Sequence, residues 1–376
     1  MLFNTKQTPN RKLLIIFMSD NKNNKIASVA NKVSIQLAAL NPFVTTNLPT
    51  LTESNSGKGF VTYGDDNRYP DFLLSLYDNV STLRSVIDGC VDYVVGEGVF
   101  RDEECTIPDE SLTELCRNIT FDYYMFGGFC VEVLRNAYSG VATINYIPFE
   151  RVRSNEDKTK FYYSEDWSKS YGRVRSIEIP AYDPNSKDYR SFYYYSKNRR
   201  GVYPLPLWNS AIKAALTESK VNEYWLNGIS NGFSSSALIS LNNGVPEDQQ
   251  KQEIEKYFTE KFTGSENAGR ILLSFSPDKE HAPDILTLST EDFSEKYKAC
   301  VDRAREEIFI AFRATSNLFG LQKEGIGFNT QEYADAYTLF NKTVISPTRN
   351  IIKRELTNIL GFDIYIKELQ VEFQKQ

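Results

Sequence analysis

The sequence predicts an α+β protein in which long amphipathic helices bracket a small inserted module, and three observations carry that prediction. From Phe293 to Gly320 the apolar residues Phe293, Tyr297, Cys300, Val301, Ala304, Ile308 and Phe312 recur three or four apart, and Lys296, Lys298, Asp302, Arg303, Arg305 and Glu306 fill the gaps. That spacing is one amphipathic helix. After Gly127 and Gly128 the period falls to two, in FCVEVLR and VATINYI around NAYSG, which predicts a β-hairpin. A Gly-containing hinge, LQKEGIGFNTQ, then leads into a second helical pattern carrying Tyr333, Tyr337, Phe340, Val344, Ile345, Ile352, Leu356 and Leu360.

Taken in order, residues 1–56 are rich in Asn, Lys, Thr and Ser and read as a flexible N-terminal arm with one short helix at most. Its apolar run Leu13 to Met18 is far too short to span a bilayer and reads as having no structural role; Met18 is a plausible alternative start. Residues 57–204 form an α+β unit with its own core. There, Pro70 suits a helix start and Ser81 a helix cap. Leu83, Val86, Ile87, Cys90, Val91, Val94 and Val95 make an apolar stripe before Gly96 and Gly98, and a third helix runs from about Asp109 to Phe126. Beyond the hairpin, KFYYS, SIEIPAY and SFYYYS continue the sheet. Two prolines in YPLPLWNSAI end it and start a helix within residues 205–233. Residues 234–292 then read as strand, helix, strand, strand before the helix of 293–320 and the hinge of 321–331. Pro347 falls inside the helical pattern of 332–376 and predicts a kink.

Composition bounds the function. The chain has 376 residues, 41% hydrophobic and 13% aromatic, enough for two or three cored domains. A net charge of −6 argues against tight phosphate neutralisation, which needs a Lys or Arg for each phosphate. The 5 Cys are odd in number and form no CxxC pair, and the lone His281 completes no zinc site. They read as buried reduced thiols.

Motifs that suggest chemistry fail where the chemistry lies. GSENAGRI has phosphate-loop glycines, but Arg270 and Ile271 replace the Lys and the hydroxyl that such a loop needs. GISNG around Ser230, with His281 downstream, matches a nucleophile elbow, yet that motif needs a preceding strand and here a helical pattern precedes it. Gly96-Glu97-Gly98 lacks the third glycine of a dinucleotide loop. The pairs Asp65/Asp66 and Glu165/Asp166 read as solvated turns rather than metal ligands.

The order AREEIFIAF, LFG, a Gly-containing loop and FNKTVISPTRNIIKRELTNILG resembles the C-terminal half of portal proteins of long-tailed DNA bacteriophages. Upstream, NRYPDFLLSLYDNVSTLRSVIDGCVDYVVGEGV, GGFCVEVLRNAYSGVATINYIPFERVR and an NG followed by GSENAGRILL match the same family in the same order. The resemblance runs from about Gly57 to Gly361 and rests on colinear weak motifs. It implies a portal fold: a wing at 57–204, stem helices at 205–233 and 293–320, a clip at 234–292, a tunnel loop at 321–331, and a kinked helix at 332–376 that returns to the wing with little or no crown. By the same resemblance, Lys323, Glu324, Gly325, Ile326, Gly327 and Phe328 face passing DNA. Lys213, Lys220, Lys296, Lys298 and Arg303 lie near the channel or a subunit interface. The implied protein is a non-enzymatic ring, dodecameric in the family, at one capsid vertex of a phage or prophage virion assembled in the host cytoplasm. Its implied partners are its own copies, double-stranded DNA, the terminase motor, the major capsid protein and head-tail adaptors, with no membrane, metal or cofactor. The alternatives are another structural head-tail adaptor, or a serine hydrolase built on Ser230 and His281.

Overall fold

A computed structural model describes residues 15–17, 51–136, 140–168, 175–197, 201–230, 237–241, 250, 253, 271–275, 291–320 and 330–369. In chain order the first elements are β1 (Ile15–Phe17), α1 (Tyr69–Asn79), α2 (Ser81–Val95), β2 (Gly98–Phe100), α3 (Glu110–Phe126), β3 (Gly128–Arg135) and β4 (Val141–Ile147). There follow β5 (Val152–Ser154), β6 (Lys160–Tyr163), β7 (Ile177–Pro180), β8 (Arg190–Ser196), α4 (Ile212–Ser230), β9 (Ala237–Leu241) and β10 (Ile271–Phe275). The last are α5 (Glu291–Phe312), α6 (Thr330–Phe340), α7 (Ser346–Leu360) and β11 (Tyr365–Lys367). Contacts divide the chain into two units, Met1–Thr46 with Lys220–Ala299, and Asn47–Ser219 with Cys300–Gln376.

The larger unit is layered. Its central sheet has the order β4-β3-β8, with β3 antiparallel to both neighbours. Phe129, Val131 and Val133 share one face of β3, and Cys130 and Glu132 share the other; all are buried. A strand covered on both faces reads as a nearly continuous apolar run, which is why FCVEV alternates so weakly. Helix α3 covers one face; its N-cap Asp109 accepts from the Leu112 N–H at 3.0 Å, and its stripe Leu112, Leu115, Cys116, Ile119, Tyr123 and Phe126 is buried. Each such fully buried side chain contributes about 1.5–3 kcal/mol. A second sheet, β5-β6-β7, covers the other face, where Phe161 stacks on Tyr194 with centroids 4.8 Å apart. The expected single sheet is therefore two, because β8 returns to pair with β3 instead of extending β7.

Other expectations are corrected. Within the run from 13 to 18, Ile15–Phe17 has a structural role, contrary to expectation: it pairs parallel to β10, which pairs parallel to β9, in the smaller unit. The arm ends earlier than residue 56, since the Glu53 carboxylate accepts the Val202 and Tyr203 N–H groups at 2.8 Å and Asn55 bridges to Val61. Ser81 is the first residue of α2, and the N-cap is Val80. Of the cysteines, Cys90, Cys116 and Cys130 are buried, but Cys105 and Cys300 are exposed. Burial pushes the Cys116 thiol up to about 12, so it stays protonated and unreactive.

The helix expected to reach Gly320 stops at Phe312. Arg313 adopts the left-handed region at φ 55°, the Ala314 N–H reaches the Phe309 carbonyl at 2.9 Å, and the Arg313 N–H reaches that of Ile310 at 3.0 Å. This is a Schellman ending, in a position usually held by glycine. The apolar period ran on through Leu318 and Phe319, but into a 3-10 turn, Ser316–Phe319. The kink expected at Pro347 takes the form of a π turn, Asn341–Ile345, just before it, with the Ser346 N–H reaching the Asn341 carbonyl. A proline lacks the N–H that Thr343 would otherwise receive, and such a break is where helices widen. Beyond it β11 pairs antiparallel with β2. Gly96, at φ 60°, permits this, because a Cβ there would strike the Lys367 carbonyl.

Asp122 on α3 is wholly buried. Its carboxyl accepts from the Tyr146 hydroxyl at 3.1 Å and the Phe149 N–H at 3.3 Å. Burial, and then the nearby Glu150, nevertheless hold its pKa well above the usual carboxylate range. The folded state thus favours the neutral acid. Its stabilisation is complete below the unfolded pKa of about 3.9 and is lost as pH rises through the raised folded value. Asp122→Asn should therefore raise Tm relative to the parent more at pH 8 than at pH 5; a difference in melting curves that does not change with pH contradicts this assignment.

Candidate functional site

The site is built where the two long helices enter the larger unit. The 3-10 turn before α4 ends in buried Ala211, α4 begins with Ile212, Ala214 and Ala215 buried, and the next turn carries Glu218, also buried. Helix α5 buries Val301, Ala304, Ile308, Phe309 and Phe312, with Arg305 beside them half-buried. The Glu218 Oε1 accepts from the Thr82 hydroxyl at 3.0 Å and the Ser81 hydroxyl at 3.5 Å, and lies 3.5 Å from the Arg305 Nε. Ser81 and Thr82 open α2, so the carboxylate sits at the helix end whose dipole favours an anion. One buried group thereby ties α4 and α5 to the start of α2.

The middle of α2 holds the segment that follows α5. Phe319 lies on Gly89, where a Cβ would come within 2.6 Å of its ring. Tyr93 and Phe340 meet Phe319 edge-on at 6.1 and 5.8 Å between centroids, and the Tyr93 hydroxyl donates to the Leu318 carbonyl at 3.3 Å. The end of α2 holds α7. The buried Arg349 guanidinium donates to the carbonyls of Val94 at 3.0 Å and Tyr93 at 2.7 Å, and pairs with Glu368 at 2.5 Å. A cation on the last carbonyls of a helix satisfies otherwise orphaned acceptors.

The residues expected to matter are only partly brought together. Lys323, Glu324, Gly325, Ile326, Gly327 and Phe328 lie outside the described residues, as do His281, Arg270 and the helix expected near residues 246–263 apart from positions 250 and 253. Lys213, Lys298 and Arg303 are exposed, and Lys296 lies within α5. Lys220 pairs with Glu223 at 2.7 Å and Arg303 with Glu307 at 3.1 Å along their own helices, pairings that partly neutralise each charge. Ser230 is the last residue of α4, so the strand that a nucleophile elbow requires is replaced by a helix. Asp66 accepts the Arg68 N–H at 3.0 Å and Asp166 the Ser168 N–H at 2.8 Å, as turn carboxylates do. Among the described residues no cluster of His, Cys, Asp or Glu has the makings of a metal site, and no helix is long and apolar enough to cross a membrane. Sequence reasoning missed Glu218, Arg305, Phe319 and Arg349 as structural ties. A carboxylate on the apolar face Ala211, Ala214, Ala215 was the available signal.

No family model matches the chain. An uncharacterized protein of Rickettsia bellii is 26% identical over 155 residues, 40% of this chain and 38% of that protein. The match thus spans less than half of either. In structure, the neck of a native gene transfer agent particle computed with C12 symmetry aligns at TM-score 0.48 and 17% identity, over 80% of this chain and 84% of that one. The neck of an empty particle computed with C6 symmetry aligns at 0.49 and 16%, over 89% and 90%. An HK97 family phage portal protein from Corynebacterium diphtheriae aligns at 0.47 and 10%, over 78% and 94%. The chain is similar to portal and neck structures.

The Gly89–Phe319 contact is directly testable. Gly89→Ala should cost about 1–3 kcal/mol by overpacking, and less than about 0.5 kcal/mol when Phe319→Ala has first removed the ring. Equal costs in the two backgrounds, measured by denaturant unfolding, would show that the contact is not made.

Proposed function

We propose that the protein is a phage or prophage portal subunit: one copy of a ring at a capsid vertex through which double-stranded DNA is packaged by a terminase motor and later leaves, with head-tail adaptors docking on it. The supporting observation is the pair of long helices, α4 and α5, joined at Glu218 and Arg305 and bracketing a segment, within Lys220–Ala299, that clusters with Met1–Thr46 apart from the larger unit. This is the order in which the sequence resemblance expects stem, clip and stem. At 1.5 Å per residue the 22 residues of α5 reach about 33 Å, the scale of a rod lining a channel. In this reading residues 234–292 are the clip, 321–331 the tunnel loop with Ile326 and Phe328 as its apolar points, and 57–204 the wing.

The chemistry suits a conduit. A protein of net charge −6 whose Lys220 and Arg303 are paired along their helices offers DNA only weak, sequence-blind attraction. A channel that gripped phosphates strongly would retain counterion-release affinity at every step and act as a brake. The work of translocation then falls to the motor, and the subunit needs no catalytic group. Head-to-tail contacts between identical subunits close into a ring only when the rotation per subunit closes. Negative-stain microscopy of the purified protein should show annular particles with a central hole. Solid, monomer-sized particles at every concentration up to tens of micromolar would overturn the portal reading.

A further inference from the structure

Two patches of the larger unit look unfinished in the isolated chain. On α5, Ile310 is 71% exposed, and Arg313, also exposed, follows three residues later just past the helix end. Arg313 holds the left-handed position at φ 55°, where glycine is the unstrained choice. Among the described residues no carboxylate pairs with its guanidinium. The second patch is the loop between β2 and α3. Asp102, Glu103 and Glu104 are exposed there beside Ile107, which is 79% exposed. Arg101, the adjacent cation, turns instead to Asp109 at 2.7 Å, and among the described residues no cation pairs with the three carboxylates.

The patches are complementary in charge: among the described residues, one holds an isoleucine and a cation with no carboxylate partner, the other an isoleucine and three carboxylates with no cation partner. No hydrogen bond or ion pair joins them within the chain among the described residues. Both lie on one polypeptide, so a second copy supplies the counterpart to each, and contact between two different patches of identical chains is heterologous, the kind that builds rings. We propose that the Ile310–Arg313 face of one copy receives the Asp102–Ile107 loop of the next. The isoleucines would form an apolar centre, and the charges would set register and exclude wrong pairings. This deepens the portal reading and rests on it.

The test is a charge swap followed by mass photometry. Arg313→Glu, and separately the triple change Asp102→Lys, Glu103→Lys and Glu104→Lys, should each raise the concentration needed for assembly by at least about tenfold. An equimolar mixture of the two should assemble like the parent, since each mutated patch then finds its opposite. Arg313→Gly supplies a second arm that does not depend on reversed charge: its dissociated subunit should melt higher than the parent while it assembles less readily. Circular dichroism checks that each variant folds, and Ile107→Asp replaces the triple variant if that one does not. Assembly of either charge variant at the parent's concentration, or a folded mixture that fails to assemble, overturns this interface and leaves the portal reading standing. A parent chain that never assembles overturns both.

Discussion

A carboxylate removed from water is costly unless donors and positive potential replace its hydration, and Glu218 receives them on one oxygen, Oε1, at the start of α2, while among the described residues its buried Oε2 has no hydrogen-bond partner. There the Thr82 and Ser81 hydroxyls, the positive end of the helix and the Arg305 guanidinium converge on a single oxygen. Helix α4 brings Glu218 on its way out and α5 brings Arg305 on its way back. A long insertion costs little when its two stalks are fixed, because loop-closure entropy grows only slowly with length.

The rest of α2 continues the same task. Its stripe from Leu83 to Val95 is buried, so it is held by the core and holds others in turn. Gly89 offers Phe319 a flat seat, and the carbonyls of Tyr93 and Val94 receive Arg349 from α7. The start, middle and end of one helix thus fix α4 with α5, the Ser316–Phe319 turn and the C-terminal helix. In the portal reading these are the stem, the root of the tunnel loop and the return to the wing, all referred to one rod. A shift of α2 would be felt by each of them.

Much of the fold was legible because it is written in periodicity. The stripe of α2, the stripe of α3 and the β3–β4 hairpin each follow from apolar spacing that one buried face enforces. What periodicity cannot express went astray. Phe312 and Phe319 continue a helical spacing, yet the chain turns between them through Arg313 in a conformation that an arginine does not advertise. The pairing of β8 with β3 is set by a contact between distant residues, and Ile15–Phe17 is too short to announce itself as a strand. The ties at Glu218, Arg305 and Arg349 were hidden for a further reason: a charged residue on an apolar face is ambiguous until its partner, far away in sequence, is known. The expected loop from Lys323 to Phe328 lies outside the described residues, so its role comes from the resemblance alone.

The Glu218–Arg305 pair couples the two long helices to each other. The most direct measurement is a double-mutant cycle by denaturant unfolding, using Glu218→Gln, Arg305→Met and both together. Coupling of about 1–3 kcal/mol, with the double variant less destabilised than the sum of the singles, is the predicted result. Additivity to within about 0.3 kcal/mol would mean that the two helices are held by their apolar faces alone, and would contradict the account.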